Sequence, residues 1–285
     1  MEKLAEGYNL IEAPLWDPSR GLIFSDVLEG GVFCIDAGGQ TRAIFAHRRG
    51  IGGMSAHVDG GLVVSGRNIS CKPFDGGDTV LLLDRDVENN NVGYNDITTD
   101  AAGRIYAGSL GSSPVFEDGR APQAGDLWLI DLDGSHRKVA HDIMLTNGLG
   151  FSPDGRTLYH SDSNRQTVNM YEVGEDGSLG EKRSFAHLDQ GVPDGLAVSV
   201  DGRVWVANAS GSGVTVFDAK GNRVDHIEIP QPMCTSVCFG GADLKDLYIV
   251  SGSNGMDSDH AGAVYRTRVD VAGIPVPPAR VRMPA

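Results

Sequence analysis

The chain has 285 residues, 40% of them hydrophobic, which is enough to bury a substantial core in one large domain or two. Its net charge of −14 argues against a nucleic-acid binder, because phosphate recognition wants a basic face. The same charge suits cation capture, although a surplus of surface carboxylates for solubility is the simpler account.

The first residues, Met1 to Leu10, show no basic start followed by an apolar core, so no signal peptide is expected. No stretch approaches the ~18 apolar residues of a membrane span. Four cysteines, Cys34, Cys71, Cys234 and Cys238, form no Cys-x-x-Cys pair and no zinc spacing, and Cys34 lies inside an apolar run as a buried thiol would. A soluble cytoplasmic protein with reduced thiols is the expectation.

In chain order, a turn followed by a short apolar strand recurs six times. Its strand residues begin at 22, 62, 105, 158, 204 and 247, in steps of 40, 43, 53, 46 and 43. The turns before them include Pro153-Asp154-Gly155 and Val200-Asp201-Gly202, which is hairpin chemistry. A second strand trails each anchor, from Val32-Phe33-Cys34-Ile35 to Val264-Tyr265-Arg266-Thr267. In the first five copies it ends in an acid that opens a turn: Asp36, Asp84, Asp131, Glu172 and Asp218. Six all-β units of about 45 residues fit radial blades best, and a sandwich would not repeat so regularly. The reading is a six-bladed β-propeller forming one closed domain over residues 1–285. Trp16-Asp17 is placed in a turn rather than at a blade end, and the segment from Leu4 to Ile11 is expected to pair with the last blade and close the ring.

The innermost strand of a blade runs along the central channel, so equivalent positions face one another across the axis. Counting back ten residues from the anchors gives Glu12, Gly52, Asn95 and Asp194; Asn147 sits eleven back, and Cys234 or Thr235 takes the sixth blade. Any one Asx beside Gly is ordinary turn chemistry. Two carboxylates and two amides in one register are different, because together they would be desolvated without a counterion. A hard divalent cation at the centre resolves that, since oxygen donors are what it accepts. Ca²⁺ is expected first, with Mg²⁺ and Mn²⁺ possible.

The segments Glu12-Ala13-Pro14-Leu15-Trp16, Tyr94-Asn95-Asp96, Asp100-Ala101-Ala102-Gly103-Arg104, Thr146-Asn147-Gly148-Leu149 and Pro193-Asp194-Gly195-Leu196 resemble the SMP-30/gluconolactonase/luciferin-regenerating-enzyme (LRE)-like group. The resemblance covers nearly the whole chain and implies a six-bladed propeller with a central metal. It implies Glu12, Asn147 and Asp194 as metal ligands and Asn95 as a contact to substrate or to a water on the metal. Varied metal use in the group extends the range to Zn²⁺ or Fe²⁺. Sugar-lactone-hydrolysing members commonly carry an Arg two residues before the position of Asn95, where this chain has Gly93. Arg67, in the second-blade segment Ser65-Gly66-Arg67-Asn68, is the candidate substitute for substrate binding, against the blander reading of a solvated loop residue.

The expected activity is hydrolysis of a small lactone. The ion polarises the carbonyl, and water attacks while Asp194 or its partner accepts the proton. No Gly-x-Ser-x-Gly elbow, His-Glu-x-x-His pair, phosphate-binding loop or dinucleotide fingerprint competes with it. His160 is read as a packed strand histidine, Asn89-Asn90-Asn91 as loop, and Asp257-Ser258-Asp259-His260 as a solvated tip. Two rivals stand beside this reading: a calcium-dependent phosphotriesterase of the paraoxonase type, and a non-catalytic propeller whose ion only pins the blades. The partner expected is a small lactone, with no nucleic acid and no membrane; the oligomeric state is not legible.

Overall fold

Short apolar strands punctuated by Gly, Asp and Pro turns every few residues cannot form a core alone, and here they build six four-stranded antiparallel sheets. A computed structural model of the chain describes residues 1–116 and 119–284. The first sheet runs β2 (Ile11–Asp17), β3 (Gly21–Asp26), β4 (Val32–Ile35) and β5 (Thr41–Phe45). The second runs β6 (Met54–Ala56), β7 (Leu62–Val64), β8 (Ile69–Lys72) and β9 (Val80–Leu83). The third is β10 (Gly93–Thr99), β11 (Ile105–Leu110), β12 (Gly125–Ile130) and β13 (His136–Ile143). The fourth is β14 (Thr146–Phe151), β15 (Thr157–Asp162), β16 (Thr167–Glu172) and β17 (Arg183–His187). The fifth is β18 (Val192–Val198), β19 (Val204–Ala209), β20 (Gly213–Phe217) and β21 (Arg223–Glu228). The sixth joins β22 (Cys234–Gly240), β23 (Asp246–Ser251) and β24 (Gly262–Arg268) to β1 (Glu2–Tyr8).

These are the six blades of an all-β propeller, and the repeats located by spacing are their second and third strands, except in the second blade, where the trailing repeat at Val80–Leu83 is the outermost strand β9 and the third strand β8 was missed. Among the described residues the only helical pieces are two 3₁₀ turns, Val87–Asn89 and Ser163–Arg165. No helix there is long and apolar enough to cross a membrane.

The core is divided among the interfaces between blades. Trp205 and Val216 of the fifth blade pack with Phe239 and Leu247 of the sixth; Val63 and Ile69 of the second pack with Tyr94 and Ile105 of the third. Equivalent clusters fill the other four interfaces. Each fully buried large side chain contributes about 1.5–3 kcal/mol relative to exposure, so the ring is held by six comparable seams. The outermost strands, such as β21, are largely exposed.

Two chain ends close the ring. β1 pairs antiparallel with β24, from Glu2 opposite Arg266 to Tyr8 opposite Gly262, as the sequence led us to expect. Beyond β24 the chain leaves the sixth blade and crosses one face of the ring. Ile274 N donates to Val198 O of the fifth blade at 2.9 Å. Ala279 N then donates to Ala56 O of the second at 2.7 Å, and Arg280 N to Gly103 O of the third at 2.9 Å. The inner strands end on this face, so the segment straps the channel there, leaving the face where those strands begin as the mouth.

Three local expectations change. Trp16-Asp17 lies at the end of β2 rather than in a turn, because Trp16 stacks on Tyr248 of the sixth blade with ring centroids 5.5 Å apart. Asn89 belongs to a 3₁₀ turn. Asn91 is buried, donating to the Tyr94 hydroxyl at 2.8 Å, so it is a structural residue of the loop. His160 is packed as expected, fully buried with Nε2 2.7 Å from Thr146 Oγ1.

Candidate active site

The axial side chains are aimed by a shared irregularity. The inner strands of five blades break register at the site residue: between Glu12 and Leu15, Tyr94 and Ile97, Thr146 and Leu149, Pro193 and Leu196, and Cys234 and Ser236. A bulge turns a side chain out of the sheet's alternation, here toward the channel. Ala13, directly after Glu12, has φ of +53°, a strained value for a residue with a Cβ. The glycine after each of Asn147 and Asp194 lets neighbouring inner strands approach. A Cβ on Gly148 would lie 2.4 Å from Leu196 N, and one on Gly195 2.0 Å from Ser236 Oγ.

Glu12, Asn147 and Asp194 are all buried and line one cavity of about 520 Å³ together with Asn95 and Arg67. The five sequence-derived candidates therefore converge on a single space. Asn95 Nδ2 donates to Thr146 O at 2.8 Å and to Asn147 Oδ1. Asn147 Nδ2 donates in turn to Ser163 Oγ at 2.7 Å, and Ser163 Oγ to Pro193 O at 2.6 Å. This chain of bonds fixes the Asn147 amide with its oxygen as acceptor and ties the third, fourth and fifth blades together at the axis.

Gly52 explains why the second blade sends no side chain inward. A Cβ there would sit 2.0 Å from Asn95 Oδ1, so the Asn95 amide occupies that space. In the sixth blade Cys234 is fully buried, and burial first, with Asp194 and Glu12 adding to it, pushes its thiol far above the ordinary range. It remains protonated. Thr235 Oγ1 donates to Ile11 O at 2.5 Å and is used up in joining the sixth blade to the first.

The electrostatics are unbalanced. Burial raises the carboxyls of Glu12 and Asp194 well above the ordinary range, with Coulomb repulsion from Asp194 and Asp96 adding at Glu12 and from Asp96 adding at Asp194. Asp96 itself is raised to about 7 by burial. Asp194 Oδ1 and Asp96 Oδ2 are buried with no hydrogen-bond partner, and among the described residues no Lys, Arg or His forms an ion pair with any of the three acids. Buried carboxylates without compensation are strongly unfavourable. A hard cation facing Glu12, Asn147 and Asp194 would supply the missing charge, and three oxygen donors fit its preference. Asp96 does not line the cavity, but its charge reaches the carboxyls of Glu12 and Asp194.

Sequence reasoning passed over four residues of this site. Asp96 lay within the Tyr94-Asn95-Asp96 segment without a role. Ser163 sat in an unremarkable stretch after β15. Arg49 and Arg85 line the mouth beside Arg67, from loops whose convergence no local pattern reveals.

Residues 10–253 match the family model described as the SMP-30/Gluconolactonase/LRE-like region. The chain belongs to this family. It is 29% identical to regucalcin of Gallus gallus, over 95% of each protein, and 30% identical to a 6-deoxy-6-sulfogluconolactonase of Pseudomonas putida, over 93% of each. Its fold superposes on a luciferin-regenerating enzyme with a TM-score of 0.87 at 24% identity, covering 98% of this family member and 99% of that chain.

Proposed function

We propose that the protein is a lactonase that opens a small lactone ring to the hydroxy acid, using a divalent cation held by Glu12, Asn147 and Asp194. The observation that carries the metal part is the buried Glu12–Asp194 pair, uncompensated by any cationic side chain and facing a roomy cavity. Family membership and the lactonase name of one relative support the reaction class. The mixed carboxylate and amide set suits Ca²⁺ first, with Mg²⁺, Mn²⁺, Zn²⁺ or Fe²⁺ as alternatives to be tested. A phosphotriesterase would use similar donors, but no observation on this chain favours phosphorus over carbon.

When bound, the ion would supply a Lewis acid for the lactone carbonyl and for the charge that develops on its oxygen. Glu12 and Asp194, raised by burial and by the charge of neighbouring carboxylates, would hold the ion as carboxylates. Asp194 takes the proton of the attacking water as the new carbon–oxygen bond forms. The ring carbon–oxygen bond then breaks, and the proton held by Asp194 passes to the departing alkoxide oxygen, leaving a hydroxy acid. Asn95 has committed its amide hydrogens to Thr146 and Asn147, so only Oδ1 remains to accept from a substrate hydroxyl or from water. Arg67, exposed at the mouth, binds substrate rather than reacting atoms.

The test is a panel of five- and six-membered lactones beside an organophosphate panel, run after chelation and after return of each metal in turn. Metal-restored lactone hydrolysis with no phosphotriester hydrolysis is the expected result. A metal-dependent melting shift without hydrolysis of any ester would place the protein among non-catalytic propellers.

A further inference from the structure

The cavity mouth is chemically lopsided. Arg49, Arg67 and Arg85 rise from three successive mouth loops, β5–β6, β7–β8 and β9–β10, and all three line the cavity. Among the described residues eight arginines away from the mouth, Arg104 with Asp100 at 2.6 Å for instance, form an ion pair with a carboxylate. The three at the mouth do not. Arg85 makes only a long bond to the backbone, Nη1 to Val92 O at 3.4 Å. A shallower hollow of about 410 Å³ adjoins them, lined by Arg48, Arg49 and Arg67, so the positive charge continues outward.

Backbone contacts hold the Arg67 loop in place. Gly66 and Tyr94 exchange hydrogen bonds of 3.1 and 2.7 Å, which presses the β7–β8 loop onto β10. A Cβ on Gly93 would lie 2.8 Å from Gly66 O and 3.7 Å from Arg67 Cα. No side chain fits at position 93, and Arg67 is presented beside the place it would have taken. Across the ring, the fourth to sixth blades offer Leu145, Val192, Ala209 and Met233, with Phe116 forming a further wall close to Gly50. At the mouth these side chains are apolar, and the polar groups of the same blades, Asn147, Ser163 and Asp194, lie at the axis.

We propose that the substrate is a lactone bearing an anionic substituent away from the ring carbonyl, received by Arg49, Arg67 and Arg85 while the carbonyl lies over the axial centre. The proposal rests on the lactonase reading and names its substrate class. Unpaired guanidinium groups in a concave site form charge-assisted bonds with carboxylate, sulfonate or phosphate oxygens, and a neutral sugar ring would leave them unused. The sulfonated lactone in one relative's name agrees with this; at 30% identity it does not carry it.

The test uses a pair matched in shape and different in charge: 5-oxotetrahydrofuran-3-carboxylate and its carboxamide. The acid is expected to exceed the amide in kcat/KM by about fivefold or more at low salt, equivalent to ~1 kcal/mol. Arg49→Gln with Arg67→Gln, both at exposed positions, should bring that ratio toward one, and so should high salt. Equal rates for acid and amide, or a ratio untouched by the double substitution, would overturn the proposal. Calorimetric binding of 3-oxocyclopentane-1-carboxylate against its carboxamide separates this from failure of the lactonase reading, since neither ketone can be hydrolysed. Preference for the acid, lost in the double variant, upholds the anion site even if every lactone is inert; equal binding removes it.

Discussion

Replacing Asp96 by Asn should stabilise the metal-free protein at neutral and alkaline pH while changing little below pH 4. Asp96 is buried, its Oδ2 has no partner, and burial lifts its carboxyl from 3.8 to about 7. An acid with a raised value in the folded state binds its proton more tightly there than in the unfolded chain. Stability is therefore fully present below pH ~4 and is lost as pH rises through about 7. At 1.36 kcal/mol per decade the loss amounts to ~4 kcal/mol. Glu12 and Asp194, raised in the same direction, steepen the decline further. Urea denaturation of both proteins in chelator, from pH 4 to pH 8, measures it. The wild-type curve should fall with pH, and the Asp96→Asn curve should fall less by roughly 3–4 kcal/mol. Parallel curves would mean that Asp96 is solvated or paired and adds no uncompensated charge beside the Glu12–Asp194 pair.

Asp194→Ala should lose bound metal by elemental analysis and lower kcat/KM by at least about a hundredfold. Full activity in a metal-titrated variant would refute the assignment. Adding the preferred cation at about a hundred times its Kd should stabilise the wild type by ~2.7 kcal/mol, read as a melting shift that the Asp194→Ala variant lacks. Gly52→Ala puts a Cβ where Asn95 Oδ1 now lies, and the clash is with a side chain rather than backbone. The variant should fold and melt near the wild type but lose up to about a hundredfold in kcat/KM as Asn95 is displaced. Truncation after residue 274 removes the buried Ala279 and Val281 and the strap's hydrogen bonds to Ala56, Gly103 and Leu132, for a loss of about 5 kcal/mol in urea titrations.

The blades were legible because Gly- and Asp-bounded apolar strands recur at blade spacing, and the second and third strands carry that signal in every sheet but the second, where the apolar β9 stood in for β8. The outer strands did not stand out. β5 and β21 are mostly exposed and read as polar loop, being strands only because a neighbour offers them a ladder. The axial positions were found by counting, and the count worked because a bulge recurs near the site residue in five of the six inner strands. Gly52 looked like a missing member of the set, and only the 2.0 Å approach of Asn95 Oδ1 shows it to be a vacated position with a purpose. Arg49 and Arg85 were invisible for a different reason. They come from loops 36 residues apart in the chain, and nothing local in either loop states that the ring brings them together.

The asymmetry of the donor set and that of the mouth have one origin. Six blades of similar backbone offer six equivalent axial positions, and a cation needs only part of that ring. The first, fourth and fifth blades give Glu12, Asn147 and Asp194; the third gives Asn95, which leans into the space left by Gly52 of the second. With no side chain of its own at the axis, the second blade cedes its place there to Asn95, and the cavity opens at the mouth above it. The loops above that opening are the ones that hold Arg49, Arg67 and Arg85. A substrate entering there is drawn by positive charge at the rim and meets a centre whose carboxylates are neutralised only when the ion is bound. Loss of metal should then weaken turnover far more than capture of an anionic ligand, because the two operations belong to different blades.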